Sequence, residues 1–241
     1  MLGLLLFSLL LAGPLLALGD VKIMGKSWWE ASRESSGISP NPGIFRDAIV
    51  QVFAARAFSW RGILGVHTWI AVKPTNASTY TVYQLVGWRL RRGENPVVIE
   101  HDIPDRLWYD AMPELLVDIR GAGVDAVIEE IDIAAKSYPY KNTYSVWPGP
   151  NSNTFIAWIG RLVPELRLDL PATAIGKDWL GGGKIFARAP SGTGYQLSLF
   201  GVFGILLGLE EGLEINIFGL NFGIDVPVSY THLTLPTICS V

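Results

Sequence analysis

The run Trp147-Pro148-Gly149-Pro150-Asn151-Ser152-Asn153-Thr154-Phe155 limits the fold more than any other stretch of this 241-residue chain. Two prolines around a glycine end whatever helix precedes them, since proline lacks an N–H and fixes φ. The Asn/Ser/Asn/Thr run then supplies side-chain oxygens for the unpaired N–H groups of a new first turn. Phe155, Ile156, Trp158, Ile159, Leu162 and Val163 follow at helical spacing as far as Pro164. The spacing predicts a helix that starts near Ser152 with its positive dipole end at that hydroxyl. Such a position suits a nucleophile or an anion site, and equally a plain helix cap.

Hydrophobic residues make up 49% of the chain and the formal net charge is −3. That balance carries no electrostatic footprint for nucleic acid, so no nucleic-acid partner is expected. Residues 1–18 carry no charge and are mostly Leu, Ala, Gly and Phe. As a helix they reach roughly 27 Å, close to the hydrocarbon thickness of a bilayer. Residues 1–19 are therefore expected to be a membrane anchor or a signal peptide. Small residues at Ala17 and Gly19 favour cleavage, and the missing basic leader disfavours it. Residues 20–45, polar and Ser-rich with Trp28-Trp29, read as a juxtamembrane tether. Residues 46–228 read as one globular domain. Residues 229–241 read as the translation of a sequencing adapter, which removes His232 and the single cysteine, Cys239, from consideration.

Within the domain, residues 48–57, 66–72 and 79–87 read as strands of an antiparallel sheet, and 117–120 as a short edge strand. Residues 89–110, with Arg89, Arg91 and Arg92, read as a solvated excursion or an anion site. Residues 124–137 carry apolar side chains at 124, 127, 128, 131, 134 and 135, the pattern of an amphipathic helix. Residues 196–208 and 213–222 are Gly-punctuated apolar runs about Glu210-Glu211-Gly212. They fit a long C-terminal hairpin or an amphipathic element lying on a membrane surface. The expected fold class is α+β: an antiparallel sheet with helices packed on one face, plus this Gly-rich hairpin.

The segments PGPNSNTF, Val66-His67-Thr68-Trp69-Ile70-Ala71-Val72-Lys73-Pro74, Ala174-Ile175-Gly176-Lys177-Asp178 and Ala189-Pro190-Ser191-Gly192-Thr193-Gly194 resemble a bacterial family known only as domain of unknown function 3750. The likeness spans residues 50–226. A family with no assigned activity implies no catalytic residues, so these come from the residues themselves. Two histidines and scattered carboxylates show no metal-ligand spacing, and neither a metal nor another cofactor is expected.

The best catalytic constellation is His67 as base and Ser152 as nucleophile, with Asn151 and Asn153 orienting the ring or donating to an oxyanion. A strand histidine ahead of a helix-start nucleophile is similar in order to the circularly permuted papain-like amidases and acyltransferases, which use cysteine where this chain has serine. A hydroxyl needs a hydrogen-bonded base, so the pair works only if His67 reaches Ser152. Trp60, Trp69, Trp88 and Tyr83 are candidate walls of an apolar cleft for lipid or glycan, or core packing, and Trp147 is a further ligand-binding candidate, or packing. Lys177 and Asp178 are candidates for an acidic ligand, or a mutual pair on a loop. Two functions follow: a membrane-anchored envelope hydrolase or acyltransferase on cell-wall or lipid substrates, or a non-catalytic envelope module binding lipid, glycan or a protein. Either is expected at the inner membrane with the domain facing the periplasm.

Overall fold

A strand with no polar face belongs in the middle of a sheet that is covered on both sides. β1 (Ile49–Arg56) is such a strand: each of its residues is buried except Arg56. The computed structural model describes residues 27–224. The expected anchor or signal peptide at 1–19 and the adapter-like tail at 229–241 lie outside those residues. β1 is followed by a single helical turn, α1 (Arg61–Leu64), then β2 (Val66–Lys73), β3 (Thr81–Leu85), β4 (Val97–His101) and β5 (Glu114–Arg120). These five strands form one antiparallel sheet in the order β4-β3-β2-β1-β5. β4 sits inside the stretch expected to be irregular, and β5 is the expected edge strand, three residues longer at its start.

Two helices, α2 (Val124–Lys136) and α3 (Ser152–Leu162), cover one face of this sheet, as their apolar periodicity requires. Val50, Val52, Ile70, Val72, Tyr83 and Leu85 meet Ile128, Ile131, Phe155, Ile156 and Ile159 there. Trp158 ties the helices together by donating Nε1–H to the carbonyl of Ala134 at 3.0 Å. The other face presents Ile49, Phe53, Trp69, Ala71 and Val82, with Phe53 and Trp69 stacked at 5.5 Å. Among the described residues no helix packs on this face. Trp108, Ile38 and Phe45 do, brought in by the 102–112 loop and the segment that precedes β1.

The described part of the expected tether, from residue 27, is therefore a layer of the domain. Its anchor point is Asp105, 1% exposed, which accepts hydrogen bonds from the Ser35 hydroxyl at 2.8 Å and from the backbone N–H of Ile38 and Ser39 at 2.6 and 3.0 Å. An apolar sheet face needs cover, and the polar Ser-rich strap supplies the donors that hold two apolar side chains over it.

A second antiparallel sheet forms from β6 (Phe186–Arg188), β7 (Gly194–Leu199), β8 (Phe203–Gly208), β9 (Gly212–Ile217) and β10 (Leu220–Ile224). The expected hairpin about Glu210-Glu211-Gly212 is present as β8–β9, and each of its two runs folds back once more. The β9–β10 turn places Phe218 and Gly219 at φ 55° and 81°, both left-handed, as a two-residue hairpin turn demands. A phenylalanine is rare in that region, which is why its sequence carries no turn signal.

Helix α3 passes so close to the segment before β7 that a Cβ on Gly160 would lie 2.7 Å from the carbonyl oxygen of Pro190 and 2.9 Å from Leu168 Cδ2. Gly160→Ala should gain about 1 kcal/mol of helix propensity and lose about 1–3 kcal/mol to overpacking. A lower urea midpoint is the expected outcome, and a higher one would show that the contact relaxes freely.

Candidate functional site

Alternation along β2 decides the fate of the expected catalytic pair. His67, Trp69 and Ala71 point to the face covered by Trp108, whereas Thr68, Ile70 and Val72 point to the helices. The residue that meets the start of α3 is Thr68, whose hydroxyl donates to Asn153 Oδ1 at 3.0 Å. His67 is on the opposite side of the sheet. Its ring stacks on Trp108 at 3.7 Å between centroids, and Nε2 lies 3.2 Å from Gln84 Oε1. Burial lowers its pKa to about 3, against a smaller raising effect of the Gln84 hydrogen bond. The imidazole is a neutral, stacked core group, so Ser152 has no base in His67, and the papain-like juxtaposition is not formed. Trp69 is likewise interior, 1% exposed, and donates Nε1–H to the Pro104 carbonyl at 2.7 Å.

Ser152, Asn151 and Asn153 are all buried at the corner. Asn151 is the N-cap: its Oδ1 accepts from Thr154 N at 3.1 Å, and its own N–H donates back to Thr154 Oγ1 at 2.9 Å, a capping box. Its Nδ2 donates to the carbonyls of Val146 and Ile175, and Asn153 Nδ2 donates to those of Val66 and Ile175. The two amides thus staple β2, α3 and the 175 loop together, and their donors are consumed. Gly176, at φ 97°, is required there, because a Cβ would lie 2.4 Å from Asn151 Nδ2.

Lys177 and Asp178 are buried beneath the second sheet and turn to that sheet, not to each other. Lys177 Nζ donates to Glu214 Oε1 and to the Leu170 carbonyl, both at 2.7 Å. Asp178 accepts from the side-chain amides of Gln196 and Asn216. Arg161, at the end of α3, donates to Gln196 Oε1 at 2.7 Å and to the Lys177 carbonyl at 2.9 Å, and burial lowers its pKa to about 10. Glu211 accepts from the backbone N–H and the hydroxyl of Ser191 at 3.0 and 2.7 Å. Burial raises the pKa of Glu214, and the Lys177 ammonium opposes that rise. The expected ligand contacts are a closed polar seam. Trp147 is half-exposed and donates Nε1–H to the Phe218 carbonyl at 3.0 Å, bracing the β9–β10 turn.

The seam puts the polar side chains of the second sheet inside, so the strand period of two sends the apolar ones outward. Leu197, Ile205 and Ile215 stand in cross-strand register and are 54%, 52% and 42% exposed. Tyr195, Leu207 and Leu213 form a second row, and Leu199, Phe203 and Ile217 a third. Phe186 of β6 and Phe222 of β10 continue the first row, so the patch spans about 19 Å across five strands and about 13 Å along them. Phe186 and Tyr195 stack at one border, and Phe203 meets Phe218 at another. The alternation was legible in Tyr195-Gln196-Leu197-Ser198-Leu199. Which set faced out was not. Among the described residues no helix is long and apolar enough to cross a membrane, and no group of His, Cys, Asp and Glu is arranged to hold a metal ion.

A sequence model described as "Protein of unknown function (DUF3750)" matches residues 47–179, which hold the first sheet, both helices and the Lys177-Asp178 pair but not the second sheet. Comparison with curated proteins and with solved structures gave no match.

A histidine neutral when folded and free to protonate when unfolded costs stability as the pH falls below about 6.5, and the loss continues to about 3. The slope is at most about 1.4 kcal/mol per pH unit. Urea titrations at pH 6.5 and 5 should show His67→Gln losing less stability over that interval than the unaltered chain, and equal losses would mean that His67 titrates normally. Lys177→Met alone should cost about 3–5 kcal/mol by leaving Glu214 buried without its cation. Lys177→Met with Glu214→Leu should recover most of that loss in the same melts, unless the pair also fixes the position of the sheet.

Proposed function

The chain belongs to the DUF3750 family of proteins of unknown function, and we propose that it is a non-catalytic, membrane-docked module of the bacterial cell envelope that seats the outer face of its second sheet in lipid. The observation that carries this reading is the inverted sheet, with Glu214, Asn216, Gln196 and Ser198 buried and Leu197, Ile205, Leu207 and Ile215 in solvent. Moving half-exposed Leu and Ile side chains out of water is worth about 1–2 kcal/mol each. A patch of this size on a monomer marks an interaction site.

The chemistry of the patch favours hydrocarbon over protein. Protein interfaces carry about one hydrogen bond per 100–200 Å², and their energetic centres are Trp, Tyr and Arg. The three rows here are Leu, Ile, Phe and a single Tyr, with almost no group to satisfy across an interface. Backbone groups inside the sheet are already paired, and the polar seam lies directly beneath, which limits the contact to shallow insertion. The uncharged N-terminal run at residues 1–18 is a second attachment, and stable membrane association takes two such signals. This arrangement fits an inner-membrane location with the domain on the periplasmic side. A hydrolase built on Ser152 and His67 is not retained, since the two lie on opposite faces of the first sheet.

The test places an environment-sensitive fluorophore at Ile205→Cys, with Ser78→Cys as a remote control, both in Cys239→Ser full chain. The chain is reconstituted in phosphatidylcholine/phosphatidylglycerol vesicles that carry nitroxide-labelled lipids. Quenching and a blue shift at 205 with neither at 78 are expected. A 205 probe as wet as the 78 probe would remove the reading, and a blue shift without lipid quenching would replace lipid with a second copy of the chain.

A further inference from the structure

The second sheet docks on α3 and the 164–193 segment, all on the helix side of the first sheet. The opposite side holds a cavity of about 180 Å³, lined by residues of the first sheet, of the 3₁₀ turn Gly87–Arg92 and of the loops that cover the sheet's far face. That volume is below the roughly 300–1,000 Å³ of sites for drug-sized ligands, so the occupant is a single small molecule. Four guanidinium groups, those of Arg33, Arg89, Arg92 and Arg106, border it. Arg89 and Arg92 share one carboxylate, Glu94, at 3.1 and 2.9 Å, and Arg106 pairs with Asp102. Arg33 donates to the Trp28 carbonyl and lies 4.7 Å over the Tyr109 ring, with no carboxylate partner among the described residues. Arg106 Nε is buried and finds no acceptor among the described residues. Cationic donors are in excess, which calls for an anion.

The aromatic groups narrow the rest of the ligand. Trp88, 45% exposed, lines the cavity beside Trp108, whose own ring stacks on His67. The Trp88 and Trp108 rings are 6.0 Å apart and tilted by 31°, which leaves no room for a flat ring between two stacking distances of about 3.5 Å. The ligand therefore has one apolar face and a polar edge. Glu100, Asp102 and Gln84 line the same cavity, so the walls hold acceptors as well as donors, as hydroxyl groups require. We propose that this cavity binds a monosaccharide bearing one acid group, with the ring against Trp88 and the carboxylate or phosphate among the arginines.

The site shares no residue with the lipid-facing sheet, and its test needs no membrane. Full-length protein in a polyoxyethylene detergent, which carries neither sugar nor charge, is titrated calorimetrically with glucuronate, glucose 6-phosphate, glucose and inorganic phosphate. Binding of either acid sugar at least tenfold tighter than both glucose and phosphate is expected, and the stronger of the two names the acid. Trp88→Ala and Arg92→Ala, both at exposed positions, should each weaken it at least tenfold with the circular dichroism spectrum unchanged. Phosphate binding as tightly as glucose 6-phosphate would reduce the cavity to a bare anion site. Glucose binding as tightly as the acid sugars, no binding at all, or unaltered binding in both folded variants would overturn the proposal.

Discussion

The seam of buried charge beneath the second sheet sets the outer surface of this protein. Lys177, Asp178 and Arg161 need partners once they are removed from water, since an unpaired buried ion costs several kcal/mol. Glu214, Gln196 and Asn216 supply them from alternate positions of β7 and β9. A strand cannot turn one residue inward without turning its neighbours outward. Satisfying the seam therefore exposes Leu197, Ile205 and Ile215, and a one-residue slip of register would bury the apolar rows at the expense of every ion contact below. The polar interior and the apolar exterior are one constraint seen from two sides.

The corner at 147–155 serves the same assembly. Its prolines and capping box begin α3 at a set point, and the amides of Asn151 and Asn153 take hold of the 175 loop by its carbonyl. Gly176 allows the contact and delivers Lys177 and Asp178, the next two residues, to the seam. Three segments inside the family match are thus joined physically, the strand through Thr68 and the Val66 carbonyl, the corner through its amides and the Gly176 loop through its carbonyl and lysine, and the 189–194 turn beyond the match is tied to the second sheet through Ser191 and Glu211. Asn151 and Asn153, which look catalytic in isolation, are fasteners of this joint.

The far side of the first sheet follows a different logic. Its apolar face is closed by a loop and a strap, so aromatic side chains meet polar loop residues there instead of a helix. His67 illustrates the result: packed flat on Trp108 and bonded to Gln84, it forms part of the wall behind an arginine-rimmed cavity. The molecule presents two unlike surfaces, one apolar and broad, the other polar and concave, separated by the helices and a doubly covered sheet.

Local chemistry was enough to read the corner, the two amphipathic helices, the apolar central strands and the α+β class, because proline, capping side chains and hydrophobic period act over a few residues. β4 escaped notice inside a basic stretch, and the Phe218-Gly219 turn did so because phenylalanine seldom adopts a left-handed φ. Only the tertiary structure decided which face of each strand points where. His67 and Ser152 are equally plausible partners in one dimension, and the parity of β2 puts them on opposite sides of the sheet. Lys177 and Asp178 read as a ligand contact or a mutual pair on a loop until Glu214 and Asn216, 37 and 38 residues on, arrive to bury them. Alternation is a property of the chain, but its phase relative to the core is set by contacts between residues far apart in it.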